Sequence, residues 1–166
     1  MLLSLAKILD TPGARLPYQV SLDLRDLTFG ATNPVQEPVV AEGSIRNTAG
    51  VLVMTGTIRT NLHCVCDRCA AQYEQRVEYD VDVVLVQELS QEEDEDPRVF
   101  ELDGDNADLD EIISTVFVLS MDSKFLCRDD CKGLCCRCGK NLNQGPCSCQ
   151  KEPDPRFAAL KQLLNK

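Results

Sequence analysis

The residues with the clearest chemistry are cysteines, and seven of the ten fall in one stretch, CRDDCKGLCCRCGKNLNQGPCSC, from Cys127 to Cys149. Cys135 and Cys138 form a C-x2-C pair with Gly139 directly after it, and Cys147 and Cys149 form a C-x-C pair. A C-x2-C turn places two thiolates side by side. The residue after it often takes positive φ, which glycine does at no steric cost. Two such pairs supply the four sulfurs of a closed tetrahedral zinc site, and the intervening KNLNQGP turns the chain back on itself. Thiolates are soft ligands that suit zinc better than magnesium or calcium. A catalytic zinc would keep an open position and recruit His, Asp or Glu. The stretch holds no histidine, so the expected metal is structural zinc.

A disulfide cluster is the competing reading. The opening MLLSLAKILDTPGARL lacks a basic leader, and its apolar run is broken at Lys7 and Asp10. It does not read as a secretory signal. The expected compartment is the reducing cytoplasm, where cysteine pairs are metal ligands or redox thiols. The first choice of ligands is Cys135, Cys138, Cys147 and Cys149. Cys127 and Cys131 can replace two of them, as can Cys66 and Cys69 from CDRC in mid-chain.

The pair Cys66 and Cys69 admits three readings. It is a knuckle sharing a site with the tail, a binding edge with Arg68 exposed beside it, or a tight turn in which small side chains pack. Cys64 adds a third thiol nearby. His63, the one histidine, can ligate, although a lone histidine at a strand end more often only hydrogen-bonds. A redox dithiol normally sits between a strand and a helix in a βαβ unit, whereas this pair falls between two strands.

The elements that must position these residues read as sheet. Residues 38–46, 51–62 and 73–87 are strand-like, and in the last of these Val77, Tyr79, Val81, Val83 and Leu85 alternate with mostly acidic positions. Short turns such as NTAG at 47–50 join them, which favours an antiparallel sheet. Residues 16–27 read as another strand, 98–102 as a short one, and 1–10 as a short helix stopped by Thr11-Pro12-Gly13. From Asp108, with Glu111 three residues later, Leu109, Ile112, Ile113, Val116 and Phe117 fall at helical spacing, so a capped helix should pack on the sheet. ELSQEEDEDP at 88–97 reads as a mobile, solvated acidic loop. Pro153-Asp154-Pro155-Arg156 leads into a last helix with Phe157, Leu160, Leu163 and Leu164 on one side.

The predicted fold is therefore α+β, an antiparallel sheet body with packing helices and a C-terminal zinc-knuckle module. The division falls at 1–123 for the body and 124–166 for the tail with its terminal helix. Hydrophobic residues make up 43% of the chain, enough for a core, but aromatics are only 5% and tryptophan is absent. No run approaches the ~20 apolar residues of a membrane span. The formal net charge is −10. It divides into −15 for residues 1–123 (8 Lys+Arg against 23 Asp+Glu) and +5 for 124–166 (9 against 4). Any nucleic-acid contact is expected through the tail.

The run C-x3-C-K-G-L-C-x-x-C-G-K-N-L-N, then C-x-C and D-P-R, resembles the YceD-like family, the large ribosomal RNA subunit accumulation proteins. Cys66-Asp67-Arg68-Cys69 matches a second motif of that family, and LDEII at 109–113 is similar to the helix that leads into its tail. Cys136 stands where the family usually has proline, which adds a thiol. The resemblance implies a non-enzymatic ribosome biogenesis factor supporting 23S rRNA accumulation or processing. Arg128, Lys132, Arg137 and Lys140, with Arg68, would face large-subunit rRNA, a pre-ribosome or a ribosomal protein. No membrane and no small-molecule substrate is implied. A zinc-stabilised adaptor for a basic ribosomal protein is one alternative, and a thiol redox protein is the other. The sequence shows no phosphate-binding glycine loop and no H-E-x-x-H that would require an enzyme.

Overall fold

Alternating apolar and polar residues between 39 and 86 build the centre of the molecule, as seen in a computed structural model that describes residues 1–30, 32–88 and 96–149. Three long strands result: β3 (Val39–Thr48), β4 (Val51–Val65) and β5 (Gln72–Val86). They are flanked in the chain by β1 (Leu2–Ser4), α1 (Ala6–Leu9) and β2 (Arg15–Leu22), then by β6 (Val99–Glu101), β7 (Asn106–Asp108) and α2 (Leu109–Ser120). The main sheet has the order β2-β3-β4-β5-β6, and β1 pairs with β7 in a separate ribbon. The fold is sheet-dominated and mostly antiparallel, with few helices. The exception is β6, which runs parallel to β5 with Val84 opposite Val99.

One sheet face is buried. Leu52, Met54, Ile58 and Leu62 of β4 share one core cluster with Ile112, Ile113, Val116 and Phe117 of α2 and with Leu5 and Ile8, and α2 packs against β2 and β5. Low aromatic content leaves few ring contacts, one of which is Tyr79 edge-on to Phe117 with centroids 5.9 Å apart. Asp108 caps α2 by accepting the Asp110 N–H at 3.0 Å. At the other end of the sheet Asn47 is buried and fully used. It donates to the Ile8 and Leu9 carbonyls at 2.8 and 2.6 Å and accepts the Gly50 N–H at 2.8 Å. One amide thus holds α1 and the β3–β4 turn together, satisfying groups that would otherwise be buried unpaired.

Several boundaries differ from the sequence reading. Residues 1–10 hold a strand and a single helical turn, because the backbone of Leu2–Ser4 finds a partner in β7. β2 stops at Leu22, and the Asp23 carboxylate then accepts from the Arg25 backbone and guanidinium. β4 does not break at His63. His63 and Cys64 pair with Glu74 and Tyr73, so the hairpin runs on to Val65 opposite Gln72. Most of the acidic loop predicted at 88–97, and the whole of the predicted terminal helix, lie outside the described residues.

Candidate metal centres

The lengthened β4–β5 hairpin carries Cys66 and Cys69 at its tip. There the backbone forms a knuckle: Cys66 N–H donates to Ala71 O at 2.9 Å, and Ala70 N–H donates to Cys66 O at 2.8 Å. The tail repeats this geometry. Cys135 N–H donates to Lys140 O at 2.8 Å and Gly139 N–H donates to Cys135 O at 2.9 Å. The residue after the second cysteine has positive φ in both, 54° at Ala70 and 70° at Gly139. The two C-x2-C turns are therefore the same local structure. Glycine marks one of them in the sequence and alanine hides the other.

Each knuckle meets a second cysteine pair. Cys66, Cys69, Cys127 and Cys131 bring four sulfurs within 4.8 Å of one another, and so do Cys135, Cys138, Cys147 and Cys149. Two quartets therefore stand where the sequence reading weighed alternative memberships of one. The hairpin quartet takes two residues from each side of the predicted division at 123/124. All ten cysteines are free thiols. Cys66–Cys131 sulfurs lie 3.8 Å apart, Cys69–Cys127 3.7 Å and Cys135–Cys147 3.4 Å. A tetrahedral cation with metal–sulfur bonds of about 2.3 Å sets its sulfurs about 3.8 Å apart. The donor sets and their spacing fit a thiophilic metal ion, and both clusters can bind one.

The electrostatics agree with that fit. Burial opposes ionisation of Cys66, but the backbone N–H groups of Cys127, Cys69 and Arg68 outweigh it and hold the thiol down to about 6. Backbone N–H groups of Cys138 and Arg137 bring Cys135 to about 6. Cys131 is lowered, first by the side-chain hydrogen bond from Asn143. Their neighbours move the other way. Removal from water raises Cys127, and the thiol hydrogen bond with Cys138 raises Cys149. Four thiols at this distance cannot all ionise unless a cation replaces their protons.

The elements that close the hairpin quartet are specific. After α2 the chain turns back so that Phe125 is buried edge-on to Phe29, with centroids 6.4 Å apart. Asp67 grips Phe125 from the hairpin tip. Its N–H donates to Phe125 O at 2.8 Å, and its carboxylate accepts the Phe125 N–H at 2.8 Å. This delivers Cys127 to the site two residues later. Arg68 donates to the Asp129 and Cys131 carbonyls at 3.1 and 3.2 Å, so its guanidinium braces the tail. Of the other predicted contact residues, Arg128, Lys132, Arg137 and Lys140 are all exposed. Arg128 pairs with Asp130 at 3.3 Å, and Lys140 donates to Pro146 O at 2.9 Å.

Three further side chains fall outside both quartets. His63 points to the outer sheet face between Glu37 and Glu74, at 3.6 and 3.7 Å. Cys64 belongs to the core, where burial pushes its thiol up. Cys136 is exposed. The sequence reading passed over Asp67, Ala70 and Asn143. None of the three carries a local mark: Ala70 holds the place that Gly139 holds in the tail, but as alanine it does not announce the positive φ.

Residues 54–164, which contain all ten cysteines, match the family described as large ribosomal RNA subunit accumulation protein YceD. The chain belongs to the YceD family. Uncharacterized proteins of Mycobacterium tuberculosis (strain ATCC 25618 / H37Rv) and Mycobacterium bovis are each 28% identical over 177 residues, covering 99% of this chain and 81% of theirs. A maize protein, the chloroplastic large ribosomal RNA subunit accumulation protein YCED homolog 1, is 24% identical over 157 residues, covering 76% of this chain and 54% of its own. No solved structure matches. Membership of the YceD family supports a ribosome-related role. Among the described residues no helix is long and apolar enough to cross a membrane.

Proposed function

We propose that this YceD-family protein is a non-enzymatic, zinc-stabilised ribosome biogenesis factor that supports accumulation or processing of the large-subunit rRNA. The observation that carries the reading is the family match, which spans both cysteine quartets. Each quartet binds one zinc ion through four thiolates, which leaves no open position for substrate or water. The zinc ions act as staples. One fastens the tail to the β4–β5 hairpin and the other closes the tail on itself.

The working surface is the tail. Arg128, Lys132, Arg137 and Lys140 are presented to rRNA phosphates by a scaffold that metal holds rigid. Basic side chains fixed in this way position a protein on RNA without reading its bases. The body is acidic, so binding to arbitrary RNA is weak and falls steeply with salt.

The test joins two measurements. Protein purified without added metal should carry about two zinc ions, with eight thiols protected until chelator is added. Replacing Arg128, Lys132, Arg137 and Lys140 together by alanine should lower co-sedimentation with large-subunit precursors while zinc content and circular dichroism stay unchanged. A folded, zinc-replete variant that still co-sediments fully would exclude the tail as the contact surface. Metal-free protein whose cysteines oxidise and reduce reversibly would favour thiol redox chemistry instead.

A further inference from the structure

Asn143 belongs by sequence to one quartet and serves the other. It lies in the 3-10 turn Leu142–Gln144, on the loop that joins Cys138 to Cys147 of the tail quartet. Its Nδ2 donates to the Sγ of Cys131, in the hairpin quartet, at 3.3 Å. Its Oδ1 accepts the N–H of Lys132 at 2.8 Å. The turn itself is fixed, because the Asn141 carboxamide accepts the Asn143 N–H at 2.9 Å. The backbone continues the link. Leu142 N–H donates to Gly133 O at 2.9 Å, and Leu134 N–H donates to Arg68 O at 3.0 Å. The tail loop therefore rests on the 131–134 segment, and that segment rests on the hairpin tip.

We propose that Asn143 is a positioning residue for the hairpin metal centre, and that through it occupancy of the tail centre tightens metal binding at the hairpin centre. The proposal rests on the reading that both quartets hold metal. A divalent ion held by four thiolates leaves a net charge of about −2, and an N–H donor aimed at one sulfur offsets part of it. That donor is in place only while the Cys138–Cys147 loop is closed, and a metal bound to Cys135, Cys138, Cys147 and Cys149 closes it at both ends. Partners one shell out from a metal commonly govern its affinity by about 10- to 100-fold. Linkage then requires that the hairpin metal tighten the tail site by the same factor. Accessibility sets the order of loss. Cys66, Cys69 and Cys131 are buried, whereas Cys138 is exposed, so a chelator reaches the tail centre first.

Because the tail centre empties first, the test is made at equilibrium: the full chain competes for zinc with a chromophoric chelator. Wild-type protein should hold two zinc ions, and Asn143→Ala should lower the product of its two binding constants about tenfold or more. Asn143→Asp keeps the acceptor for Lys132 but loses the donor to Cys131, and should lower the same product. It should also shift the thiolate-to-metal charge-transfer band of the cobalt-substituted protein, which loss of packing alone would not do. A Cys147→Ser/Cys149→Ser double variant should hold one zinc ion, and adding Asn143→Ala to it should change that affinity little, because without the tail metal the donor is already out of place. A product of constants untouched by both Asn143 variants overturns the proposal, as does an equal loss on Asn143→Ala in the wild-type and the Cys147→Ser/Cys149→Ser backgrounds. Wild-type protein that holds fewer than two zinc ions overturns it together with the metal reading, before any variant is compared.

Discussion

Gly133 and Gly139 share nearly the same backbone, with φ of 72° and 70°, but not the same surroundings. A Cβ at Gly139 would meet nothing within 4 Å, while one at Gly133 would lie 2.9 Å from the backbone carbonyl oxygen of Arg68. Replacing either by alanine forces a left-handed conformation that costs about 1–2 kcal/mol, partly offset by a stiffer unfolded chain worth about 0.4–1 kcal/mol. Gly139→Ala should therefore cost about 1 kcal/mol. Gly133→Ala adds a clash with a backbone atom that no rotamer can relieve, of the order of 1–3 kcal/mol. The difference, about 2 kcal/mol, corresponds to roughly thirtyfold in an opening equilibrium. The assay is amide exchange of Leu134 and Leu142 in zinc-saturated protein, because their N–H groups bond Arg68 O and Gly133 O across this contact. Exchange should rise about fivefold in Gly139→Ala and more than a hundredfold in Gly133→Ala. Equal effects in the two variants would refute the idea that the tail is seated on the hairpin tip through Gly133.

Other substitutions test the body and the hidden knuckle. Ala49 sits in the β3–β4 turn at φ 54° beside Gly50 at 94°, so Ala49→Asn should stabilise the protein by about 1 kcal/mol in urea unfolding. Asn47→Ala removes three hydrogen bonds at a buried site and strands their partners. It should cost about 2–4 kcal/mol, read as a lower urea midpoint at unchanged slope. Gly43 and Gly56 face each other across β3 and β4, and a Cβ on Gly43 would lie 2.1 Å from Thr55 O, so Gly43→Ala should cost more than about 4 kcal/mol and yield little folded protein. Ala70→Gly relieves the left-handed strain at the hairpin knuckle and should slow zinc release from that centre by about threefold, measured with a chelator.

What could be read from the sequence follows from how local the cause is. The long strands were legible because alternation in 51–62 and 73–85 is a period-two signal that needs no knowledge of the rest of the fold. The helix from Leu109 was legible for the same reason, with Asp108 as its cap. Pairings between distant segments were not. Nothing in residues 2–4 announces that their partner is 106–108, and nothing in 99–101 announces a parallel ladder on β5. The same rule holds at the cysteines. Cys135 and Cys138 could be read as a knuckle because Gly139 supplies the positive φ that the turn demands. Cys66 and Cys69 make the same turn with Ala70, whose strain is held by the surrounding contacts, so the local mark was missing. Grouping is the harder part. Cys127 and Cys131 stand closer in sequence to Cys135 than to Cys66, and loop closure alone would favour a quartet built within the tail. The hairpin wins because Asp67 takes both backbone groups of Phe125 and Arg68 takes the carbonyls of Asp129 and Cys131. The two residues between the cysteines of the C-D-R-C motif thus choose which distant cysteines join it.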